Sequence, residues 1–570
     1  MKTLLTTLHS KYIHASLALP YLAAYCGDDC GEMLIEEFSV NEPKEALLAR
    51  IDSWRADIVC FSVYLWNRTA TLELVQCLKG IDPQLRIVLG GPEVSFEEEN
   101  FFARYPVDAL ICGEGESPLR HLLRAWAKGA EPDNLPGLRT PDFPAGRGWT
   151  LLESLDEIPS PFAAGLVDLS RGLVYYESSR GCPYSCSFCM SALDEKVRSF
   201  SFERIRSDLK LLMDQQVPLI KFVDRTFNYN PQRTRDIFAY ILQHNRSSQF
   251  HFEIGAHLLD KSTLKLLESV PEETFQFEIG IQSTLPQTLS NVGRQASLGK
   301  LADNVRTLSE RTKIHLHLDL IAGLPGEDYA QFLHSLDWTL DLGADHLQIE
   351  PVKLLPGAPL RLEAERWGIV YDPNPPYSIL RSADMDFNDL ERLRGIGRLL
   401  DLLVNSTRCE FLLAGLKKHF SRLSLLLEDL DDYWRTNGLY HQSRSLRDLY
   451  FVIDGYLQAR FVAEKLAALR ELLARDFARH ERVVKGKVPE FFDVAVTPQE
   501  DLAVRQQVKE ELQQIDRTGK VQFFAAVFHH LSDQPGRSVL IYIYVAKTGA
   551  GLKVTEMVLK KKKISNAFLN

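Results

Sequence analysis

The sequence predicts an α/β protein in three successive parts. These are an N-terminal doubly wound, Rossmann-like sheet, a central open (β/α)6 barrel, and a mostly helical C-terminal region ending in a β-hairpin. Three observations carry that expectation. Apolar strand-like runs alternate with helical segments over residues 1 to about 125, the pattern of a parallel sheet covered on both faces. A proline-rich stretch follows, and six further βα units come after it. From Tyr377 onward the apolar residues recur at helical spacing. A chain of 570 residues is too long for one core. The expected divisions are 1–129, a linker at 130–170, 171–370 and 371–570.

Composition narrows the function classes. Apolar residues make up 45% and charged residues 25%, as in ordinary globular protein. The net charge of −10 gives no general pull toward nucleic acid, and the basic run Lys560–Lys563 reads as a solvated tail. No apolar run is long enough to cross a membrane. Met1 to Leu8 is broken too soon by His9, Ser10 and Lys11 to read as a leader, and is expected to be a first buried strand. Nine cysteines, three of them clustered, suit a reducing cytoplasm.

In the first part the expected strands are Leu4–Leu8, Met33–Phe38, Ile58–Ser62, Arg86–Gly91 and the start of Ala109–Glu116. Helices are expected at Ala15–Tyr25, Pro43–Trp54 and Thr71–Gly80. A doubly wound sheet binds its ligand outside the carboxyl ends of its strands. The unusual residues collect there. They are Ser10 to His14, Ser62 with Tyr64 and Leu65, Gly90-Gly91-Pro92-Glu93, and Gly113-Glu114-Gly115-Glu116. One such glycine pair only ends a strand. Several such ends in order suggest a slot that the backbone must approach closely.

Val174–Ser178 opens the second series, and Arg180-Gly-Cys182-Pro-Tyr-Ser-Cys186-Ser-Phe188-Cys189 follows it. Three thiolates on one short loop can hold three corners of a [4Fe–4S] cube. Zinc loops come as two cysteine pairs or with histidine partners, and neither is present. The next cysteine along the chain is Cys409, so one iron is expected to stay open. Phe188 can shield the cluster or pack on a nucleobase. The later strands end in polar residues: Leu219–Asp224 in Asp224-Arg225-Thr226, Phe250–Gly255 beside Glu253 and His257, and Phe275–Ser283 in Glu278, Gln282 and Ser283. Arg294 follows, then Ile314–Ile321 with its turn Gly323-Leu-Pro325-Gly-Glu327, then His346–Glu350.

The cysteine loop resembles the signature of the radical SAM enzymes, whose open iron chelates S-adenosylmethionine. That resemblance implies roles for the later residues. Asp224-Arg225-Thr226 stands where the family has Gly-Gly-Glu and is similar to the variant of cobalamin-linked members, which holds the methionine amino group. Glu253 or His257 would face the ribose or the substrate. Arg294 would pair with the methionine carboxylate, as a bidentate guanidinium suits. The Gly323–Glu327 turn matches the GxPGE turn beside the adenine.

The N-terminal set resembles the cobalamin-binding domain that precedes many radical SAM cores, with Ser62, Gly90 and Gly91 lining the slot for the nucleotide tail. It lacks DxHxxG, the motif whose histidine ligates cobalt, and His9 and His14 do not have its spacing. The lower cobalt face is therefore expected to see the Tyr64–Trp66 loop or water. Asn374-Pro-Pro-Tyr377 and the helix through Asn405 resemble the DUF4080-type domain of unknown function that trails a group of these proteins.

The resemblance implies a cobalamin-dependent radical SAM enzyme that cleaves S-adenosylmethionine to a 5′-deoxyadenosyl radical, most simply for C-methylation of an unactivated carbon. Cyclisation or rearrangement without methyl transfer is the alternative, and a non-catalytic cluster-bearing sensor stands behind it. An electron donor such as flavodoxin or ferredoxin is implied, with a small molecule or a peptide as substrate.

Overall fold

A computed structural model describes residues 1–11, 15–148, 151–194, 196–442, 444–484, 486–513, 520–531, 536–547 and 551–560. His14, Asp533 to Pro535 of the expected hairpin turn, and Lys561 to Lys563 lie outside these residues. The chain divides into two compact units, Met1–Glu391 and Arg392–Asn570.

The first unit begins with β1 (Lys2–His9), α1 (Ala18–Cys26), β2 (Glu32–Ser39), α2 (Lys44–Ser53), β3 (Ile58–Ser62) and α3 (Arg68–Ile81). It continues with β4 (Arg86–Gly90), α4 (Phe101–Arg104), β5 (Ala109–Ile111), α5 (Glu116–Ala127) and β6 (Leu138–Arg139). The sheet order is β2-β1-β3-β4-β5-β6, parallel except for the last pair. Strand β6 lies in the stretch expected to be linker, and it covers the β5 edge. β3 is buried at every position, because both faces are covered. One apolar cluster gathers α2, α3 and Phe101; the other gathers α1 and α5. The order reverses between β1 and β3, and such a switch point opens a crevice at the strand ends.

The barrel follows: β7 (Leu173–Tyr176), β8 (Ser179–Arg180), β9 (Arg198–Ser199), α6 (Phe202–Asp214), β10 (Leu219–Phe222), α7 (Pro231–His244), β11 (Gln249–Glu253), α8 (Lys261–Leu267) and β12 (Phe275–Gln282). Then come α9 (Pro286–Asn291), α10 (Leu298–Arg311), β13 (His315–Ala322), α11 (Tyr329–Leu340) and β14 (His346–Pro351). Six strands pair in parallel in the order β7-β10-β11-β12-β13-β14, an open barrel of consecutive units. The short pair β8–β9 stands apart and brackets the cysteine loop. After the barrel come α12 (Pro359–Leu362), β15 (Val370–Tyr371) and β16 (Ile379–Arg381), so helix does not begin at Tyr377.

Helix α13 (Phe387–Leu399), extended by a π-helical turn at Leu400–Asn405, leads into the second unit. There α14 (Glu410–Leu416), α15 (Leu423–Thr436), α16 (Leu446–Arg460), α17 (Ala463–His480) and α18 (Pro498–Glu511) follow. Helical spacing continues unbroken from Asp448 to Ala474, yet the chain breaks into extended backbone at Phe461 and Val462. The terminal hairpin gains a third strand: β17 (Lys520–Phe528), β18 (Ser538–Lys547) and β19 (Gly551–Val558) form an antiparallel sheet. β19 escapes a sequence reading because apolar and polar residues do not alternate cleanly in Gly-Leu-Lys-Val-Thr-Glu-Met-Val.

Candidate functional site

At the carboxyl ends of the N-terminal strands a cavity of about 790 Å³ opens and runs to the mouth of the barrel. Ser10, Ser62, Tyr64, Gly90, Gly91, Pro92, Gly113, Glu114, Gly115 and Glu116 line it from the sheet side. Arg225 and Glu253 line it from the barrel side. Small residues keep the slot open. A Cβ on Gly91, at φ +107°, would meet the Val63 carbonyl oxygen at 2.5 Å. The loop after β3 is pinned from below by buried Asn67, whose amide donates to Thr7, Leu8 and Ser62. Tyr64 and Trp66 stack with ring centroids 4.6 Å apart. Trp66 lines the cavity with Tyr64, and Leu65 does not.

Three of the expected residues also have partners on the protein. Glu93 accepts from the Tyr377 hydroxyl at 2.7 Å and does not line the cavity. Glu114 and Glu116 form part of the wall, but their carboxylates are engaged by arginines, Glu116 by Arg180 at 2.6 Å and Glu114 by Arg198 at 2.7 Å. His9 pairs with Glu37 at 3.2 Å, and Glu37 also accepts from the Ser16 amide. A polar side chain at a strand end binds the nearest buried opposite charge, which sequence spacing does not reveal.

The cysteine loop hangs between β8 and β9. Gly181 has φ +88°, and a Cβ there would meet the Lys196 carbonyl oxygen at 2.5 Å. The Cys182 amide donates to the Asp194 carbonyl at 3.0 Å and the Ser187 amide to Val292 at 2.9 Å. Cys182 and Cys186 are buried, while Phe188 and Cys189 are half-buried. The Cys182 sulfur lies 3.5 Å from the Thr226 hydroxyl, and the Tyr184 hydroxyl lies 2.8 Å from His257 Nε2. Among the described residues no three His, Cys, Asp or Glu side chains converge on one ion. A cubane does not require that, since each thiolate takes a separate iron.

Arg294 stands beside the loop. Its Nη1 donates toward the Cys186 sulfur at 3.9 Å, its Nη2 to the Gly280 carbonyl, and its buried Nε has no hydrogen-bond partner among the described residues. Gln282 sits at φ +73° where the β12–β13 register slips, and its buried Oε1 also has no hydrogen-bond partner among the described residues. These orphaned groups fit a zwitterionic ligand head. Asp224 follows the end of β10. Its fully buried carboxylate accepts from the Ser178 amide at 3.0 Å and from the hydroxyls of Ser178 and Ser179, clamping the end of β7. Ser283 is likewise engaged, donating to Glu327 at 3.0 Å, and burial pushes Glu327 up to about 7. Gly323 packs against Ile379 and Leu390, and the Pro325 carbonyl accepts from Asn291 at 3.0 Å.

The barrel lumen is polar. Glu278 accepts from His251 at 3.0 Å and lies 3.6 Å from Lys221, and these partners hold its carboxyl down to about 2. Glu253 has no side-chain hydrogen bond or ion pair among the described residues, and burial pushes it up to about 7. Sequence reading missed Arg180, Arg198, Glu177 and Tyr184. The signal for Arg180 was its place directly before Gly181-Cys182.

Three family models match in order: a B12 binding domain over residues 4–123, the radical SAM superfamily over 176–339, and the protein of unknown function DUF4080 over 365–528. The chain thus carries regions matching a B12 binding domain and the radical SAM superfamily, the class of domain pair whose cofactors are cobalamin, a [4Fe–4S] cluster and S-adenosylmethionine. Within that class it carries the trailing DUF4080 domain. It is 30% identical over 358 residues to the cobalamin-dependent radical SAM methyltransferase TokK of Streptomyces tokunonensis, covering 56% of this chain. The chain spans 50% of that relative's length. Its fold resembles that of the cobalamin-dependent S-adenosylmethionine radical enzyme OxsB, with TM-score 0.58 and 17% identity over 90% of this chain and 84% of the other. It also resembles the radical S-adenosylmethionine methyltransferase TsrM of Kitasatospora setae, with TM-score 0.54 and 16% identity over 67% of this chain and 80% of the other. No described helix is long and apolar enough to cross a membrane.

Proposed function

We propose that this chain is a cobalamin-dependent radical SAM methyltransferase that methylates an unactivated carbon. One observation carries the reading. Arg225 lines the cavity that opens from the N-terminal strand ends, and its neighbour Thr226 touches the Cys182 sulfur. The slot and the cluster loop therefore meet at two adjacent residues. When bound, the cofactors supply a carbon-centred radical and a transferable methyl group.

The chain's own residues position and exclude. Arg294 and Gln282 receive the methionine head of S-adenosylmethionine beside Cys186. Thr226 and Tyr184 hold the loop carrying the thiolates. Glu253 faces the cavity with no side-chain partner among the described residues and contacts the substrate, a small molecule or a peptide. Stacked Tyr64 and Trp66 form the lower wall of the corrin slot and exclude water there. An external one-electron donor such as flavodoxin or ferredoxin reduces the cluster, and the reaction belongs to the cytoplasm.

Anaerobic reconstitution followed by mass spectrometry tests this. Formation of both 5′-deoxyadenosine and S-adenosylhomocysteine supports methyl transfer. 5′-Deoxyadenosine alone assigns a cyclisation or rearrangement, and neither product returns the chain to a non-catalytic role.

A further inference from the structure

The residues that frame the cluster loop are bolted to the cobalamin slot by a buried charge hub. Arg180 and Arg198 face each other across the β8–β9 pair, one entering the loop and one leaving it. Arg180 donates to Glu116 at 2.6 Å and to Glu177 at 3.0 Å, and lies 3.3 Å from Glu114. Arg198 donates to both oxygens of Glu114, at 2.7 and 3.1 Å, and to Asp194 at 2.9 Å. The Asp194 carbonyl in turn accepts from the Cys182 amide. The side chains of Arg198 and Glu116 are each 5% exposed.

Buried ion pairs add little net stability, because desolvation offsets their attraction. Their better-attested use is to fix one register between elements. Here the elements fixed are the Gly113–Glu116 corner of the N-terminal sheet and both stems of the cysteine loop. Glu114, Glu116, Glu177 and Arg180 also line the cavity wall, so a ligand filling the slot bears directly on the hub. Gly113, at φ +75°, lets the backbone turn at that corner so that Glu114 and Glu116 face the arginines.

We infer that Arg180, Arg198 and Glu114 are positioning residues that couple the two cofactor sites: filling the slot with cobalamin orders the cluster loop and tightens binding of S-adenosylmethionine. This rests on the assignment of cobalamin to the slot and the cluster to the loop. Coupling between two binding sites is reciprocal, so S-adenosylmethionine must tighten cobalamin binding by the same factor.

The test uses the full chain, reconstituted anaerobically with iron and sulfide and left without reductant so that nothing turns over. The affinity for S-adenosylmethionine is measured with and without hydroxocobalamin, and that for hydroxocobalamin with and without S-adenosylmethionine. The wild-type factor is expected to be about fivefold or more in both directions. Arg198→Gln, at a side chain that does not line the cavity, is expected to bring it to about one while each ligand alone binds within about twofold of wild type, because the amide loses its charge toward Glu114 and Asp194. Arg198→Lys, which keeps the charge and loses the fork, gives the same result if the first variant is poorly folded. A wild-type factor of one overturns the inference. So does an undiminished factor in the variants, which would mean that the ligands couple by direct contact. Wild-type protein that holds no cluster or no hydroxocobalamin instead refutes the underlying assignment.

Discussion

The two parallel sheets of the first unit use their side chains in opposite ways. In the N-terminal sheet β3 is buried throughout, and β1 is buried at seven successive positions. In the barrel, β12 alternates buried and half-exposed residues from Phe275 to Gln282, and β13 alternates from Leu316 to Ala322. The central strands of the first sheet are dry on both faces, so the chemistry there is confined to the rim of glycines and loops at their ends. The second has one dry face toward its helices and one wet face toward the lumen, where Lys221, His251, Glu278, His317 and Asp319 interact. A cofactor carrying its own chemistry needs only a shaped slot, whereas a substrate needs a polar chamber.

The sharpest break falls on the barrel side. Replacing Cys182, Cys186 and Cys189 together with alanine is expected to abolish iron binding and all cleavage of S-adenosylmethionine, while hydroxocobalamin still binds. A normal iron content in that variant would sink the cluster assignment.

Gly91→Val breaks the other sheet. The added Cβ meets Val63 backbone at 2.5 Å in a left-handed conformation, a strain of about 2–4 kcal/mol. Expected is loss of hydroxocobalamin binding with an intact cluster absorbance; unchanged cobalamin affinity would place the cofactor elsewhere.

Glu327 titrates with a sign that can be checked. Its folded value of about 7 lies above the ordinary 4.5, so its contribution is full below about pH 4.5 and is lost as pH rises through 7. The wild type should therefore lose on the order of 3 kcal/mol between pH 5 and 8 relative to Glu327→Gln. Denaturation of both at the two pH values measures it, and parallel behaviour would show that the carboxyl is not buried.

Arg294→Ala should keep the cluster and weaken S-adenosylmethionine binding by about 1.5–3 kcal/mol, the worth of a charge-assisted bond. Unchanged affinity by equilibrium dialysis would make Arg294 a brace for Gly280 only. The smallest effect is expected at His9. Its Nε2 faces Glu37, so His9→Ala should leave the Co(II) EPR spectrum unaltered and free of nitrogen splitting.

Both sheets were legible from sequence because apolar periodicity records burial directly. Ile58–Ser62 forms a strand with the bounds its composition suggested. The cysteine loop and the glycine corners were legible because thiolates and positive φ admit few substitutes. The partners of charged residues were not. Asp224, Glu114 and Glu116 stand among the expected cofactor residues, and nothing in the linear order shows that each also pairs with residues about 45 to 85 positions away. β19 and the break at Phe461–Val462 were hidden for a different reason. There tertiary packing overrides weak local preference.

The hydrogen bond from Tyr377 to Glu93 joins positions 284 residues apart. Glu93 directly follows Gly90-Gly91-Pro92, the rim of the slot. During synthesis the N-terminal sheet emerges from the ribosome well before Tyr377 does, and domains tend to fold in that order. Until then the rim lacks its brace, and the barrel side of the cavity is absent. The B12-binding sheet thus has to fold as an incomplete vessel, and a finished slot is a property of the completed barrel rather than of the sheet that carries its glycines.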